Sequence, residues 1–308
     1  MILTVTLNPA LDVTYRVEEL QHGHVHRVDR VSIRAGGKGI NVARVLAALG
    51  ERVLATGLVG GPTGDAVLAE LSVPHDFARI SGENRRTVTV WSTMDCRATL
   101  FAERGPTVGA AEWSTFVGGF ERLASVAEIV VLAGSLPPGL PDSAYAELIV
   151  RSPAPVILDT AAEPLRRGLA AHPAMITPNA DELAAAIGSD AADLAEACRE
   201  LAVPVAFTLG PAGAVLSTPA GSWSARPPST IRGKATGPGN PTGTNNTISA
   251  DDAFTAALAR GMARRTDPQT LLADAVALST ASVVAPATGD FDPVTYERLR
   301  RTVVVRRL

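Results

Sequence analysis

The sequence predicts an α/β fold in which a mostly parallel sheet is covered by helices on both faces and a small second sheet lies over one edge as a lid. Three observations carry this. The first apolar run, 2–7, reads as a buried strand stopped by Asn8-Pro9. From residue 112 onward helix and strand patterns alternate, the mark of parallel strands joined by helical crossovers. Two separated stretches, about 13–34 and 85–103, alternate polar and apolar residues and read as half-exposed strands.

The elements follow in order. Gly36-Gly37-Lys38-Gly39 breaks the chain before an Ala- and Leu-rich helix over 40–49, which Gly50 stops. A strand over 53–59 leads through Gly60-Gly61-Pro62-Thr63-Gly64 into a helix over 65–71. Helix 112–125 precedes strand 129–132, helix 142–150 precedes strand 156–158, and helix 163–171 precedes strand 175–177. Helices 180–187 and 190–201 precede strand 205–209, and the last helices cover about 252–264 and 269–284. Residues 229–247, rich in Gly, Pro, Thr and Asn, read as a long loop of the kind that is functional or disordered. The chain, 1–308, is expected to form one domain, with the lid made from its own excursions.

Bulk properties narrow the function classes. With 308 residues and 46% hydrophobic content the chain can bury a large core. A net charge of −3 without clustered basic residues argues against nucleic acid or a membrane surface as partner. No apolar stretch is long enough to span a bilayer, and no signal peptide is visible, so a cytoplasmic protein is expected. Cys96 and Cys198 are far apart and lack metal-ligand spacing, which fits a reducing compartment. His22, His24 and His26 alternate, a pattern that suits an exposed strand edge better than a metal site.

Five segments could carry chemistry. In Ala35-Gly36-Gly37-Lys38-Gly39-Ile40-Asn41 the glycines let backbone approach a ligand at a helix start, while Lys38 and Asn41 supply charge and an amide. The same run also reads as a plain glycine turn. Asp12 follows the first strand and could accept two sugar hydroxyls, or cap a turn. Gly134-Ser135-Leu136-Pro137-Pro138-Gly139 is a sharp turn at the edge where α/β sheets place ligands. Asn179 and Glu182 have the spacing of a capping box, and Glu182 could alternatively lie near a hydrated magnesium ion. Thr208-Leu209-Gly210-Pro211-Ala212-Gly213 reads as strand, tight turn, strand, and its glycines would give a nucleotide flat access or simply make a hairpin.

Taken together, these segments resemble the ribokinase-like carbohydrate kinases of the phosphofructokinase B family, closest to 1-phosphofructokinase and tagatose-6-phosphate kinase. The resemblance rests on order: LTVTLNPALD, GGKGINVARVLAALG, GSLPPGLP, ILDT, TPNADEL, TLGPAGA and DAFTAAL, across nearly the whole chain. It implies a three-layer α/β/α domain with a β-sheet lid, ATP and Mg²⁺ as cofactors, and a sugar or sugar phosphate as substrate. It also implies a homodimer through the lid sheets, by analogy alone. Carried over position by position, Asp12, Gly37, Lys38 and Asn41 would hold the sugar, and Arg85 its phosphate, for which a guanidinium offers two parallel hydrogen bonds. Asn179 and Glu182 would serve the magnesium and phosphate network, and Thr208, Gly210 and Gly213 the ATP site. The sequence departs from the pattern at Thr87, commonly Asn, at Thr177, commonly Lys, and at Ala161-Ala162, commonly Ser-Gly.

The family's Gly-Ala-Gly-Asp signature, whose backbone N–H groups meet the moving phosphoryl group and whose Asp is the base, is interrupted. Thr236-Gly237-Pro238-Gly239 and Asp252-Ala253-Phe254 look like its two halves, with twelve residues, 240–251, between them. Three alignments stay open: Gly237 and Gly239 with Asp252 as base; Ser249-Ala250-Asp251-Asp252 in place of the signature; or Asn240 in place of the base. Asp252 is the favoured catalytic residue, with Gly237, Gly239, Ala250 and Asp251 as candidates for the anion hole. Ser249 as N-cap would put Asp251 and Asp252 in the first helical turn. The activity this implies is ATP-dependent phosphorylation of a sugar-phosphate hydroxyl. The alternatives are an impaired descendant that binds sugar phosphate or nucleotide, and a kinase for an unusual neutral sugar or cyclitol.

Overall fold

The structure, a computed structural model, describes residues 1–28, 30–95, 97–188, 194–228, 247–285 and 287–308. In chain order the elements are β1 (Ile2–Thr6), β2 (Ala10–Val17), β3 (Arg30–Gly36), α1 (Lys38–Ala48), β4 (Val53–Val59), α2 (Gly61–Ala69) and β5 (His75–Arg79). There follow β6 (Arg85–Ser92), β7 (Arg97–Ala102), α3 (Ala110–Ala124), β8 (Ile129–Ala133), α4 (Ala144–Arg151), β9 (Val156–Asp159), α5 (Ala162–Leu169) and β10 (Met175–Ile176). The chain continues through α6 (Ala180–Ile187), α7 (Leu194–Glu200), β11 (Val205–Thr208), β12 (Ala214–Thr218), β13 (Gly221–Arg226), α8 (Thr247–Ala263), α9 (Pro268–Val283), α10 (Pro293–Leu299) and β14 (Val304–Arg307).

Ten strands form the main sheet, in the order β14-β13-β12-β11-β10-β9-β8-β1-β4-β5. From β5 to β11 every pairing is parallel, and β11 to β14 close the edge antiparallel. Side-chain alternation divides the core between the two faces. In β8, Ile129, Val131 and Ala133 face a core shared with α1, α8, α9 and α10. Val130 and Leu132 face the opposite core, built with Phe116 and Phe120 of α3, Tyr145 of α4 and Leu183 of α6. The central strands are therefore apolar on both faces, as a sheet covered twice requires.

The second sheet has four strands in the order β3-β2-β6-β7. It grows from the carboxyl end of β1, because Asn8-Pro9 turns the chain straight into β2. Its faces differ in chemistry. Asp12, Arg34 and Thr87 fall in register on one face, while Val13, Ile33, Val88 and Phe101 form a row on the other.

Several boundaries differ from the sequence reading. The segment 18–28 is not strand, so the three histidines lie in an irregular turn and not on a strand edge. There His24 Nδ1 is 3.1 Å from the carbonyl of His22. Helix α2 begins at Gly61, because Pro62 is pre-set for a first helical turn. Four elements were not legible: β5, β13, β14 and α10. Among the described residues no helix is long and apolar enough to cross a membrane.

Candidate active site

The carboxyl ends of β1, β9 and β11, the start of α1 and the first turns of α8 meet beside the second sheet. Asp252 is the centre of this meeting point. It is wholly buried, and its Oδ2 accepts a hydrogen bond of 2.8 Å from Asn41 Nδ2. Its Oδ1 is buried with no partner among the described residues. Burial pushes its pKa up to about 8; Lys38 opposes the shift, and Asp159 and Asp251 reinforce it.

Helix α8 starts at Thr247, so Asp251 and Asp252 are its fifth and sixth residues and lie in the second turn. The expected N-cap role of Ser249 is not what the helix shows. Its hydroxyl instead accepts from the backbone N–H of Gly289 at 2.8 Å and lies 3.0 Å from Ser282 Oγ, fixing α8 to the loop after α9. The anion hole expected at Ala250 and Asp251 changes accordingly. In a helix from Thr247 the Asp251 N–H points back to the Thr247 carbonyl and is spent there. Gly237 and Gly239 lie outside the described residues.

Lys38 opens α1, and its ammonium meets Asp159 Oδ1 at 2.7 Å. Asp159 ends β9 and is fully buried; its second oxygen accepts from Thr255 Oγ1 at 3.1 Å. The Thr255 and Thr177 hydroxyls are themselves 3.1 Å apart. Burial alone would lower the Lys38 pKa, but Asp159, followed by Asp252, more than offsets it and holds the ammonium above its ordinary range. The charges acting on Lys38 are thus Asp159, Asp252 and Glu182, whereas those acting on Arg85 are Asp12 and Glu103.

On one side of this centre lies a cavity of about 890 Å³, lined by Asn179, Thr208, Gly210, Gly213, Ala250 and Asp251 among others. Thr208 Oγ1 donates to Asp251 Oδ1 at 3.0 Å, so Asp251 faces the cavity while Asp252 faces Asn41. Burial, then Asp159, raises the Asp251 pKa. The turn Gly210–Ala212 is a single 3-10 turn between the antiparallel β11 and β12, and Gly213 has φ 102°, where a Cβ would lie 2.0 Å from the Ala225 carbonyl oxygen. Asn179 and Glu182 form the capping box that their spacing predicted: Glu182 N–H donates to Asn179 Oδ1 at 2.8 Å, and Asn179 N–H to Glu182 Oε2 at 3.0 Å.

On the other side lies the polar face of the second sheet. Arg85 donates through Nε to the Asn8 carbonyl at 3.1 Å and through Nη1 to Thr87 Oγ1 at 3.3 Å. Thr87 lies directly across from Asp12 in the pairing of β2 with β6. Burial raises Asp12 to about 6, against the pull of Arg85. Gly36 is required beneath Asp12, since a Cβ there would lie 2.1 Å from its Oδ2. Gly37, at φ 122°, makes the turn into α1, where a Cβ would meet Thr6 Cγ2 at 2.6 Å.

The pfkB family carbohydrate kinase model matches residues 5–294. The chain belongs to the pfkB family of carbohydrate kinases. Solved structures repeat the ribokinase-like fold over the whole length. Ribokinase from Thermotoga maritima superposes with a TM-score of 0.76 at 18% identity, covering 98% of this chain and 99% of its own. A Thermotoga maritima protein described as a possible 1-phosphofructokinase gives 0.86 at 23% identity, covering 100% and 99%. Phosphofructokinase-2 from Escherichia coli, solved with substrates and products, gives 0.85 at 24% identity, covering 97% and 98%.

Within this pfkB chain, three polar residues of the site went unassigned from sequence. Asp159 had only the ILDT string to mark it, and a strand-terminal Asp commonly caps a turn. Thr255 sits one turn beyond Asp251, inside an apolar helix. Arg44 is buried three residues after Asn41 and donates to Asn41 Oδ1 at 3.2 Å. Its spacing to Asn41 puts the two on one face of α1, a signal that helix periodicity carries.

Proposed function

We propose that the chain transfers the γ-phosphoryl group of ATP to a hydroxyl of a sugar phosphate, in the manner of a 1-phosphofructokinase. The observation that carries this reading is Asp252: a fully buried carboxylate with one oxygen held by Asn41 and the other without a partner among the described residues, between a nucleotide-sized cavity and a polar face bearing Arg85 and Asp12.

The nucleotide occupies the cavity over the Gly210–Ala212 turn, with Thr208, Asn179 and Gly213 along its walls. The sugar phosphate binds with its phosphate at Arg85 and ring hydroxyls at Asp12. Thr87, across the strand pairing from Asp12 and hydrogen-bonded to Arg85, lies between the two positions. The acceptor hydroxyl donates to Asp252 Oδ1. As its oxygen forms the bond to the γ-phosphorus, the proton passes to Asp252 and the bond from phosphorus to the ADP oxygen breaks. Burial makes Asp252 a stronger base than an exposed carboxylate, and Lys38, pinned by Asp159, keeps a positive charge beside the transferred group.

Magnesium fits this site in one way. Among the described residues no group of three His, Cys, Asp or Glu side chains is placed to hold a metal ion. Glu182 keeps one oxygen outside its capping box and would hold the ion through water, the arrangement a hydrated Mg²⁺ prefers. Bound with ATP, the ion would neutralise charge on the β- and γ-phosphates.

Asp251 favours a second reading, that of an impaired descendant. Its carboxylate faces the cavity where phosphates would sit, at a position the family signature gives to glycine. ADP release measured over a panel of sugar phosphates, sugars and nucleosides tests both. Release with a sugar phosphate supports the kinase; calorimetric binding of nucleotide without release on any acceptor supports the impaired binder.

A further inference from the structure

We propose that Arg44 is a positioning residue for the general base: it locks the Asn41 side-chain amide in the orientation that donates to Asp252. The inference rests on the reading of Asp252 as base and adds the residue that aims it.

An asparagine amide has two faces of nearly equal shape, one that donates and one that accepts. Beside a carboxylate the choice decides the outcome. Asn41 Nδ2 donates to Asp252 Oδ2 at 2.8 Å and leaves Oδ1, unpartnered among the described residues, for a substrate hydroxyl. Turned over, Asn41 would present its oxygen to a carboxylate, and neither Asp252 oxygen would be fixed. Arg44 Nη1, 3.2 Å from Asn41 Oδ1, makes the turned orientation untenable, because a guanidinium has donors only.

Burial strengthens the argument. Arg44, Asn41 and Asp252 are 6%, 4% and 0% exposed, so water cannot substitute for a lost partner. The hydrogen bond that Arg44 makes goes to a neutral amide three residues back, and burial followed by the nearby Arg34 pushes its pKa down to about 10. A buried guanidinium is costly as a packing element alone, since a hydrocarbon would fill the space without the desolvation. Gly289 completes the clamp. It lies at φ 75°, and a Cβ on it would come within 3.0 Å of Asn41 Oδ1 and 3.3 Å of Arg44 Cδ. The charged groups facing Asp252 are Lys38 from α1, Asp159 from β9 and Asp251 beside it on α8, and none of these touches the Asn41 oxygen.

The test is steady-state kinetics against pH on full-length protein, with folding checked by circular dichroism and thermal melting. Arg44→Leu is expected to lower kcat by roughly a hundredfold, the cost of about 1 Å of misplacement, with a smaller change in the sugar-phosphate KM. Its rate should also need a higher pH, because a freed Asn41 turns its oxygen to Asp252 and favours the protonated acid. Arg44→Lys, which keeps a donor, should recover part of kcat and the original pH dependence. In Asn41→Ala, adding Arg44→Leu should change kcat no further. Asn41→Asp, which keeps a partner for Arg44 but places a carboxylate against Asp252, should shift the pH dependence upward even where Arg44→Leu does not fold. An unshifted pH profile in Asn41→Asp, or additive losses in the double variant, would overturn the proposal. Retained activity in Asp252→Asn would instead overturn the base reading beneath it.

Discussion

At the scale of single residues, one carboxylic acid at the centre of the site has its pKa displaced upward. Asp252 has an ordinary value of 3.8 and a folded value of about 8, caused first by burial. Two outcomes follow. As a base it must be ionised, so kcat/KM should rise with pH through a limb near 8, and Asp252→Asn should remove that limb from whatever rate remains. The same shift is a stability statement. Between pH 3.8 and about 8 the folded chain holds a proton that the unfolded chain releases, so this group's contribution to stability falls as pH rises through that window. Asp252→Asn should therefore melt above the parent protein at pH 8 and lose that advantage towards pH 4. Equal melting differences at both pH values would show that Asp252 ionises normally.

At the scale of elements, what the sequence revealed and what it hid have physical causes. The central strands were legible because they are apolar on both faces, and helices such as α3 and α6 because of their periodicity and capping residues. Strands β13 and β14 were not: β13 is a short run of small and polar residues, and β14 is a four-residue, Arg-rich edge strand that is mostly exposed. Within the site, Asp12, Lys38, Asn41 and Asp252 could be named from motifs, but their partners could not. Lys38 meets Asp159 across 121 residues of sequence, and Asn41 meets Asp252 across 211, separations that no local pattern encodes. The glycine run was legible as permissive backbone, while the reason for each glycine needed its neighbours. A Cβ on Gly39 would meet Thr6 Oγ1 at 2.5 Å and the Val5 carbonyl at 2.7 Å, so this glycine seats α1 against β1. Gly39→Ala should lift the helix that carries Lys38 and Asn41, costing about 1–3 kcal/mol of stability by denaturant titration and lowering kcat as well. A stable variant with full activity would contradict the role given to α1.

At the scale of the whole molecule, the two sheets divide the work. The carboxyl edge of the main sheet carries the cavity and Asp252, the proposed nucleotide site and base, while one face of the second sheet carries Asp12, Thr87 and Arg85. Arg34 of β3 ties the second sheet to the loop after α9 through two hydrogen bonds to Asp290, at 2.9 and 3.0 Å. The opposite face of the second sheet carries Ile33 at 47% and Phe101 at 57% exposure, in one row with Val13 and Val88. An apolar sheet face of this kind suits a second copy of the chain as lid partner. Sedimentation should give the mass of two chains, and Phe101→Asp should give one; a monomeric parent protein would contradict the pairing. The central claim, that a sugar phosphate is phosphorylated with Asp252 as base, meets its most direct test in ADP release with fructose 1-phosphate. The parent protein should release ADP at a rate that depends on the acceptor, and Asp252→Asn should lose about 10²–10⁴-fold in kcat. Acceptor-dependent release that survives Asp252→Asn unchanged would contradict it.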